Sequence, residues 1–178
     1  SETVKLIIDG KTYEFPLIIG TEGERAIDIS KLRQQTGLIT YDPGLANSGT
    51  CKSSITFMDG EEGVLRYRGY PVGDLAEHST FVETAYLLIN GELPNPAQRA
   101  GFDIAIGQHN LLHEQIMTFF RGFRRDAHPM AVMVGVVGAL SAFYHDSTDI
   151  NNPEHRRVAT NRMIAKMPTI AAMAYKYS

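Results

Sequence analysis

The sequence has no tryptophan, only one cysteine, and no excess of basic residues. A lone Cys51 cannot form an internal disulfide, which excludes the small disulfide-stabilised class and suits a reducing cytoplasm. The formal net charge is -3, so no basic field predicts a nucleic-acid partner. The first residues, "SETVKLIIDGKTYEF", lack the basic start and the continuous apolar stretch of a signal peptide. We therefore expect a cytoplasmic protein.

Apolar runs of membrane length are also missing. The stretch from Pro129 to Tyr144 has no charged residue, but its 16 residues fall short of the ~20 that a helix needs to cross a bilayer. The composition, 43% hydrophobic and 21% charged, is that of a globular chain with one substantial core. We expect neither a membrane nor a nucleic acid as a partner.

The apolar stretch itself predicts a helix. Proline at its first position favours helix initiation, whereas its valines and glycines lower the intrinsic helix propensity. A helix that is apolar all round is buried on every side, so it needs many neighbours. Three interpretations follow: a membrane span, the central helix of a monomer, or a surface that packs against another subunit.

Strand patterns are confined to the front of the chain. Residues 4–8 and 12–18 predict a hairpin around Asp9-Gly10, because this dipeptide favours a two-residue turn. Residues 26–45 predict a short helix or turn, then a strand and a Pro-Gly turn. Residues 55–58 and 64–67 predict a second hairpin.

Helical signals dominate from Pro71 onward. Thr80 and Glu83 form a capping-box pattern for a helix that ends at Asn90-Gly91, with Phe81, Ala85, Leu88 and Ile89 on its apolar face. Further helices are predicted from Asn95-Pro96, over residues 111–123, over the apolar stretch, and from Asn152-Pro153 to about Lys166, with a kink or restart at Pro168.

The predicted fold class is therefore mainly α, with a small N-terminal β region. We expect residues 1–50 to form the β-rich region and residues 51–178 to begin a multi-helical domain. The last stretch, "TIAAMAYKYS", is still helical in composition and has no capping residue. This favours the front part of a longer protein over a compact helical domain with a frayed end.

Long ordered motifs resemble the citrate synthase family. They are "ITFMDGEEGVLRYRGYPVGDLAEHSTFVETAYLLINGELP", "HEQI", "FRRDAHPMAVM" and "FYHDSTDINNPEHRRVATNRMIAKMPTIAAMAYKYS". The likeness covers essentially the whole chain and is greatest to the large, allosteric, hexameric type of Gram-negative bacteria. The chain corresponds to roughly the N-terminal two-fifths of such proteins.

The resemblance implies a citrate-synthase-like helical domain and the first reaction of the tricarboxylic acid cycle. Acetyl-CoA condenses with oxaloacetate and water to give citrate and CoA, with no cofactor required. In the family an aspartate removes a methyl proton, two histidines assist, and arginines hold the carboxylates. Those motifs lie beyond Ser178, so no catalytic residue is assigned here and the segment alone is expected to be inactive.

The family also pairs its subunits through helices, which implies a dimer and a hexamer built from dimers. The apolar helix resembles one of these pairing helices, with small residues that allow a close crossing at a two-fold axis. The candidate interface residues are Met130, Met133, Val134, Gly135, Val137, Gly138 and Ala139.

The allosteric type binds NADH at a regulatory site. Motif matching carries this site to His109, Leu111, Tyr144, Arg162 and Lys166. Gln108 stands where the best-known pattern has an arginine, which predicts weakened or absent NADH inhibition. From the residues alone, Arg162 and Lys166 share a helix face, where like charges repel by a few tenths of a kcal/mol and a solvated face is the ordinary interpretation.

Three other groups of metal-binding or reactive side chains give weaker signals of function. His109 and His113 share the spacing of two zinc ligands on one helix, but a structural or surface role is favoured over a metal. His145, Asp146 and Asp149 fit a turn that caps two helices. Cys51 has no basic neighbour that would activate a thiolate.

Two function classes remain open from the sequence. One is citrate synthase, or a relative such as a 2-methylcitrate synthase-like acyltransferase that uses another acyl-CoA. The other is a stand-alone regulatory module that keeps the dimerisation helix and the nucleotide site without catalysis. The N-terminal β region favours the large citrate synthase.

Overall fold

The structure, a computed structural model, describes residues 2–177. It divides into two compact units, Ser1–Ser54 and Ile55–Ser178. The first unit contains a three-stranded antiparallel sheet in the order β1-β2-β3 and one short helix, α1. Their bounds are β1 Thr3–Ile8, β2 Lys11–Ile19, β3 Arg25–Ile27 and α1 Leu32–Thr36. The domain boundary after residue 50 stays a prediction.

The first predicted hairpin is confirmed. Ile8 pairs with Lys11, and Asp9 and Gly10 form the turn between them with φ values of 50° and 76°. Positive φ at both central residues is the geometry of a type I′ turn, which Asp-Gly sequences favour. Phe15 on β2 is 1% exposed.

The strand predicted between the short helix and the Pro-Gly turn of residues 26–45 is wrong, as residues 38–41 show. This stretch has no regular secondary structure, and Ile39 and Tyr41 are 74% and 90% exposed. The following turn is closed locally, because the Asp42 carboxylate accepts hydrogen bonds from the backbone of Ala46 and Asn47 and from the Ser48 hydroxyl. An apolar run without a neighbouring strand has no ladder to join.

The second unit opens with a small antiparallel sheet in the order β4-β5-β6, followed by helices. The second hairpin is confirmed, with its first strand displaced by one residue. The bounds are β4 Thr56–Asp59, β5 Val64–Tyr67, β6 Tyr70–Pro71, α2 Val72–His78, α3 Phe81–Asn90, α4 Pro96–Gly107, α5 Ile116–Arg121, α6 Pro129–Phe143 and α7 Pro153–Tyr177. Helix α2 was not predicted. The mainly α architecture is confirmed.

Local capping fixes the ends of α3 and α4. The Thr80 hydroxyl accepts from the Glu83 backbone while the Glu83 carboxylate accepts from the Thr80 backbone, and Asn95 and Gln98 repeat the arrangement. Gly91 ends α3 with a φ of 95°, which a residue without a Cβ adopts at little cost.

The apolar face predicted for α3 is wrong for Phe81 and Ile89, which are exposed, whereas Ala85 and Leu88 are half-buried. Leu87 is fully buried, whereas Phe81 is 71% exposed. The reason is the position of α4, whose Phe102 ring meets the ring of Tyr86 edge-on at 5.4 Å between centroids. This contact turns the side of α3 that carries Tyr86 and Leu87 inward.

Helix α5 is shorter than the predicted 111–123. Residues 109–115 are not helical, and the carbonyls of His109 and Leu111 accept hydrogen bonds from the Lys166 ammonium. The backbone N–H of Gln115 bonds to the His113 imidazole instead of to the Leu111 carbonyl. A distant side chain therefore delays the start of this helix.

The core of the second unit lies between α5, α6 and α7. Its buried residues are Ile116, Phe120, Val132, Val136, Leu140, Ile170 and Ala174. Helix α7 continues through Pro168 to Tyr177, so the end predicted at about Lys166 and the restart are wrong, while the alternative of a kink stays a prediction. Met163 before the proline and Ile170 after it both pack in this core. Burial of a side chain such as Ile170 contributes ~1.5–3 kcal/mol, which offsets the one backbone hydrogen bond that proline removes.

Candidate functional site

The candidate site lies where the C-terminal end of α6 and a short 3-10 turn, His145–Ser147, meet the middle of α7. Tyr144 ends α6, and the turn follows directly. Arg162 and Lys166 stand one helical turn apart on α7, so both side chains reach the same neighbouring surface.

Lys166 joins α7 to the loop between α4 and α5. Its side chain is 2% exposed, and its ammonium donates to the carbonyls of His109, at 2.9 Å, and Leu111. The same nitrogen lies 4.6 Å from the centre of the Tyr144 ring. A buried ammonium is tolerated here because three acceptors, two carbonyls and a ring face, replace water.

Arg162 joins α7 to the 3-10 turn. Its two terminal nitrogens each donate to one oxygen of Asp146 at 2.8 Å, and Nη1 also donates to the Ser147 hydroxyl at 2.9 Å. The guanidinium carbon lies 4.4 Å from the centre of the Tyr144 ring. The contact is a two-point Arg–carboxylate pair resting on an aromatic face.

One nitrogen of this guanidinium is unsatisfied. Nε of Arg162 is buried and has no hydrogen-bond partner in the described part of the chain. A buried donor without an acceptor costs ~1–3 kcal/mol. The arginine is therefore held firmly at one edge and left unpaired at the other.

The ordinary interpretation of this basic pair as a solvated face is wrong. Arg162 is 8% exposed and Lys166 is 2% exposed. Their mutual repulsion is offset because both cations share the Tyr144 ring and Arg162 is paired with a carboxylate. The partners that stabilise the two cations, Tyr144 and Asp146, lie outside α7, at the end of α6 and in the 3-10 turn.

The charges perturb one another. The hydrogen bonds from Arg162 lower the pKa of Asp146 from 3.8 to about 2, and the same pair raises the pKa of Arg162. The pKa of His109 is lowered from 6.5, first by desolvation and then by the positive charges of Arg162 and Lys166. The site therefore carries net positive charge around a neutral imidazole at pH 7.

All five candidates from the sequence meet in this site. His109 and Leu111 contribute backbone carbonyls, while the Leu111 side chain is 81% exposed. The Tyr144 ring lies beneath both cations. Gln108 caps the end of α4 and is exposed.

Sequence reasoning missed two members of the site, Asp146 and Ser147. Asp146 was assigned to a capping turn, and it does lie in a turn, but its carboxylate binds Arg162 on α7. The capping role belongs to Asn152, which accepts from the backbone of Glu154 at the start of α7. No local signal links Asp146 to Arg162, since 16 residues separate them.

A cavity of about 300 Å³ adjoins the ion pair. Its lining includes the polar residues Arg162, Ser147 and Tyr144 and the apolar residues Leu140, Ala159 and Met163. A cavity of this volume is at the small end of sites for drug-sized ligands. It offers an apolar surface beside a cation.

The seven candidate interface residues on α6 fall into two groups. Met130 and Val134 are 58% and 72% exposed, and Gly138 has open space where a Cβ would stand. Met133 and Val137 instead pack against the core, and Gly135 and Ala139 are half-buried. The expectation that α6 is buried on every side is wrong within this chain.

Gly135 has a specific neighbour in its own chain. A Cβ at this position would lie 2.9 Å from the ring of Phe123. The glycine therefore admits a side chain from the segment that follows α5. Gly138 remains open to approach from outside.

The other groups lie as follows. His109 and His113 fall in the loop after α4, so they do not share a helix face, and the His113 ring packs 5.5 Å from that of Phe143. Among residues 2–177, no three His, Cys, Asp or Glu side chains converge in a metal-sized group. Asp149 accepts from the Asn151 backbone, and Cys51 is exposed. No helix of the described chain is both long and apolar enough to cross a membrane.

The fold of the chain is similar to solved structures of one class, the citrate synthases. That of Thermotoga maritima is 29% identical, with a TM-score of 0.63 over 78% of this chain and 35% of its own. That of Pyrobaculum aerophilum is 28% identical, with a TM-score of 0.67 over 100% of this chain and 41% of its own.

A third solved structure is similar to this chain in fold. It is the ternary complex of Thermoplasma acidophilum citrate synthase with carboxymethyl coenzyme A and oxaloacetate, 24% identical, with a TM-score of 0.68 over 75% of this chain and 35% of its own. The chain thus spans about 35–41% of the length of these relatives. Residues 44–178 match the family model "Citrate synthase, C-terminal domain", and the chain belongs to this family.

Proposed function

We propose that the chain forms the N-terminal part of a cytoplasmic citrate synthase that condenses acetyl-CoA with oxaloacetate and water to citrate and CoA. The observation that carries this proposal is the family match over residues 44–178. It is supported by the helical fold shared with two citrate synthases at 28–29% identity.

The family resemblance also indicates which functions this chain and the rest of the enzyme would supply. A carboxylate base, two histidines and carboxylate-binding arginines would come from the remainder of the enzyme, outside residues 1–178. The present chain would supply packing, subunit contacts and a regulatory surface. On this proposal the 178-residue chain alone has no condensing activity.

The test is the reaction of the full-length protein. Mixing it with acetyl-CoA and oxaloacetate is expected to release free thiol and citrate together, and omission of either substrate is expected to abolish both. The matched control replaces acetyl-CoA with propionyl-CoA. Absence of citrate would refute the proposal, and a preference for propionyl-CoA would indicate a 2-methylcitrate synthase.

We further propose that the cluster of Tyr144, Arg162 and Lys166, with the His109–Leu111 loop, is a regulatory NADH site of the large allosteric type. The proposal is supported by two cations stacked on one aromatic ring beside a cavity of about 300 Å³. Positive charge suits the pyrophosphate, and an apolar wall suits a planar base. With glutamine at position 108 in place of arginine, NADH inhibition is expected to be weakened.

Equilibrium titration of the full-length protein with NADH at low salt tests this assignment. Arg162→Ala is expected to weaken binding about tenfold or more, since it removes a charge-assisted contact. Arg156→Ala is the matched control, because Arg156 lies on the same helix but is exposed and bonds to the Ile150 carbonyl. Absence of saturable binding, or equal binding by both variants, would refute the assignment.

We also propose that the exposed apolar face of α6 packs against a second copy, and that such dimers assemble into a hexamer. The face carries Met130 and Val134, both more than half exposed, and the open Gly138. A two-fold interface uses one self-complementary patch, and small residues let two such helices approach closely.

A further inference from the structure

Arg162 offers two edges for a two-point contact with an anion, and the fold treats them differently. The end formed by Nη1 and Nη2 is bound to both oxygens of Asp146 at 2.8 Å. The Nε atom on the other edge is buried and has no partner in the described part of the chain. The second edge therefore faces the protein.

The edge that Asp146 holds is the one nearer to solvent. The Asp146 side chain is 64% exposed, whereas that of Arg162 is 9% exposed. A ligand that arrives from solution consequently meets the guanidinium at the edge already bound to a carboxylate. Lys166 offers no free alternative, because its buried ammonium donates to the carbonyls of His109 and Leu111.

We infer that Asp146 is an internal competitor of the anionic ligand: its carboxylate occupies the position on Arg162 that a phosphate oxygen of the ligand must take. This inference rests on the proposed nucleotide site and adds its regulation. The ligand binds by displacing the Asp146 carboxylate. The measured affinity is therefore the intrinsic affinity multiplied by the fraction of molecules in which Arg162 is free of Asp146.

The geometry allows this exchange at moderate cost. Asp146 lies in a three-residue 3-10 turn, and its exposed carboxylate regains water when it leaves. Arg162 stays in place without it, because the Tyr144 ring, 4.4 Å away, and the Ser147 hydroxyl still hold the guanidinium. One anion replaces another on a cation that does not move.

The decisive variant is Asp146→Asn in the full-length protein, titrated with NADH. It keeps the shape of the side chain and removes the competing charge, and about three- to tenfold tighter binding is expected. Asp149→Asn is the matched control, because Asp149 is an exposed carboxylate of the same connection and contacts the Asn151 backbone instead of Arg162. Its affinity is expected to equal that of the wild type.

The outcomes separate the two proposals. Tighter NADH binding by Asp146→Asn, but not by Asp149→Asn, supports the inference that Asp146 competes with the ligand. Binding by Asp146→Asn when the wild type shows none supports it as well. Unchanged or weaker binding, or equal tightening by both variants, overturns the competitor and leaves the NADH site standing. Absence of binding in the wild type and in both variants overturns the site and the competitor together.

A crystal structure of the wild-type protein with NADH provides the second measurement, which requires no variant to fold. The Asp146 carboxylate is expected to lie beyond hydrogen-bond distance, more than about 3.5 Å from the Arg162 nitrogens. A phosphate oxygen is expected in its place. An Asp146–Arg162 pair still intact at 2.8 Å, with NADH bound beside it, would overturn the inference.

Discussion

Helices α6 and α7 pack against each other, yet their burial is the reverse of what their compositions predict. The charge-free α6 leaves Met130 and Val134 more than half exposed. The basic α7 buries Arg162 and Lys166 almost completely. Composition sets the cost of exposing or burying a side chain, whereas the neighbouring elements decide which of the two occurs.

The difference is explained by the number of partners that each helix has. Helix α7 contacts α4, α5, α6 and the 3-10 turn, so even its charged residues find carbonyls, a carboxylate or a ring. Helix α6 meets α5 and α7 on one side. Its other side is apolar surface without a covering element in the described chain, which is the reason to propose a second copy there.

The largest expected effect is on association. Val134→Arg places a charge on the bare side of α6, and in a two-fold interface the change occurs twice, so dimer affinity is expected to fall at least about 100-fold. Sedimentation of the full-length protein across a concentration series measures it. Ile150→Arg, at another exposed apolar residue, is the control, and equal behaviour of the two would contradict the interface.

The contribution of the buried Lys166 on α7 to stability is tested by Lys166→Met. This change keeps the volume but leaves the carbonyls of His109 and Leu111 without their donor, and it is expected to lower the free energy of unfolding by about 3 kcal/mol. Lys176→Met, at an exposed lysine of the same helix, is expected to change it by less than about 0.5 kcal/mol. Urea unfolding of both variants measures the difference.

The two sides of α6 are compared directly by shortening two valines. Val136→Ala removes methyl groups from a fully buried position and is expected to cost about 2 kcal/mol in urea unfolding. Val134→Ala is expected to cost less than about 0.5 kcal/mol at low protein concentration. Any further loss should grow with concentration, since a dimer stabilises the fold by mass action. Equal losses at low concentration would show that both sides are packed within one chain.

Acid should weaken the contact between the turn and α7. Because the pKa of Asp146 is lowered from 3.8 to about 2, its stabilisation is complete above pH 3.8 and is lost as pH falls through about 2. The side chain is 64% exposed, so solvent screening limits the effect to about 1 kcal/mol. Asp146→Asn is expected to remove this part of the pH dependence, measured by urea unfolding at successive pH values, and an unchanged profile would contradict the pair.

The smallest effect concerns His109. Its lowered pKa means that the unfolded chain binds the proton more readily, so stability is highest above pH 6.5 and declines as pH falls below it. His109→Gln should flatten that decline while preserving the Lys166 contact, which uses the backbone carbonyl. Thermal unfolding of both proteins between neutral and mildly acidic pH measures it. A steeper slope in the variant would contradict the assignment.

Much of the fold was predictable because its signals are local. The Asp9-Gly10 turn, the capping box at Thr80 and the helix start at Asn95-Pro96 act over two to four residues, and each appears where the pattern predicted it. The errors arose where distant groups intervene. Lys166 delays α5, and the packing of Tyr86 on Phe102 turns α3.

The candidate site shows the same division. Motif likeness named five of its residues, but the sequence contained no sign that Asp146 would complete it. The sequence by itself determined the turns and helix starts that local patterns specify, such as those at Asp9-Gly10, Thr80 and Asn95, and which side chains are cationic, apolar or small. Only the tertiary structure decided that α6 keeps a bare side and that Arg162 and Lys166 are buried. The reason is distance along the chain, because their partners lie 16 and 57 residues away, beyond the reach of any local hydrogen bond or helical period.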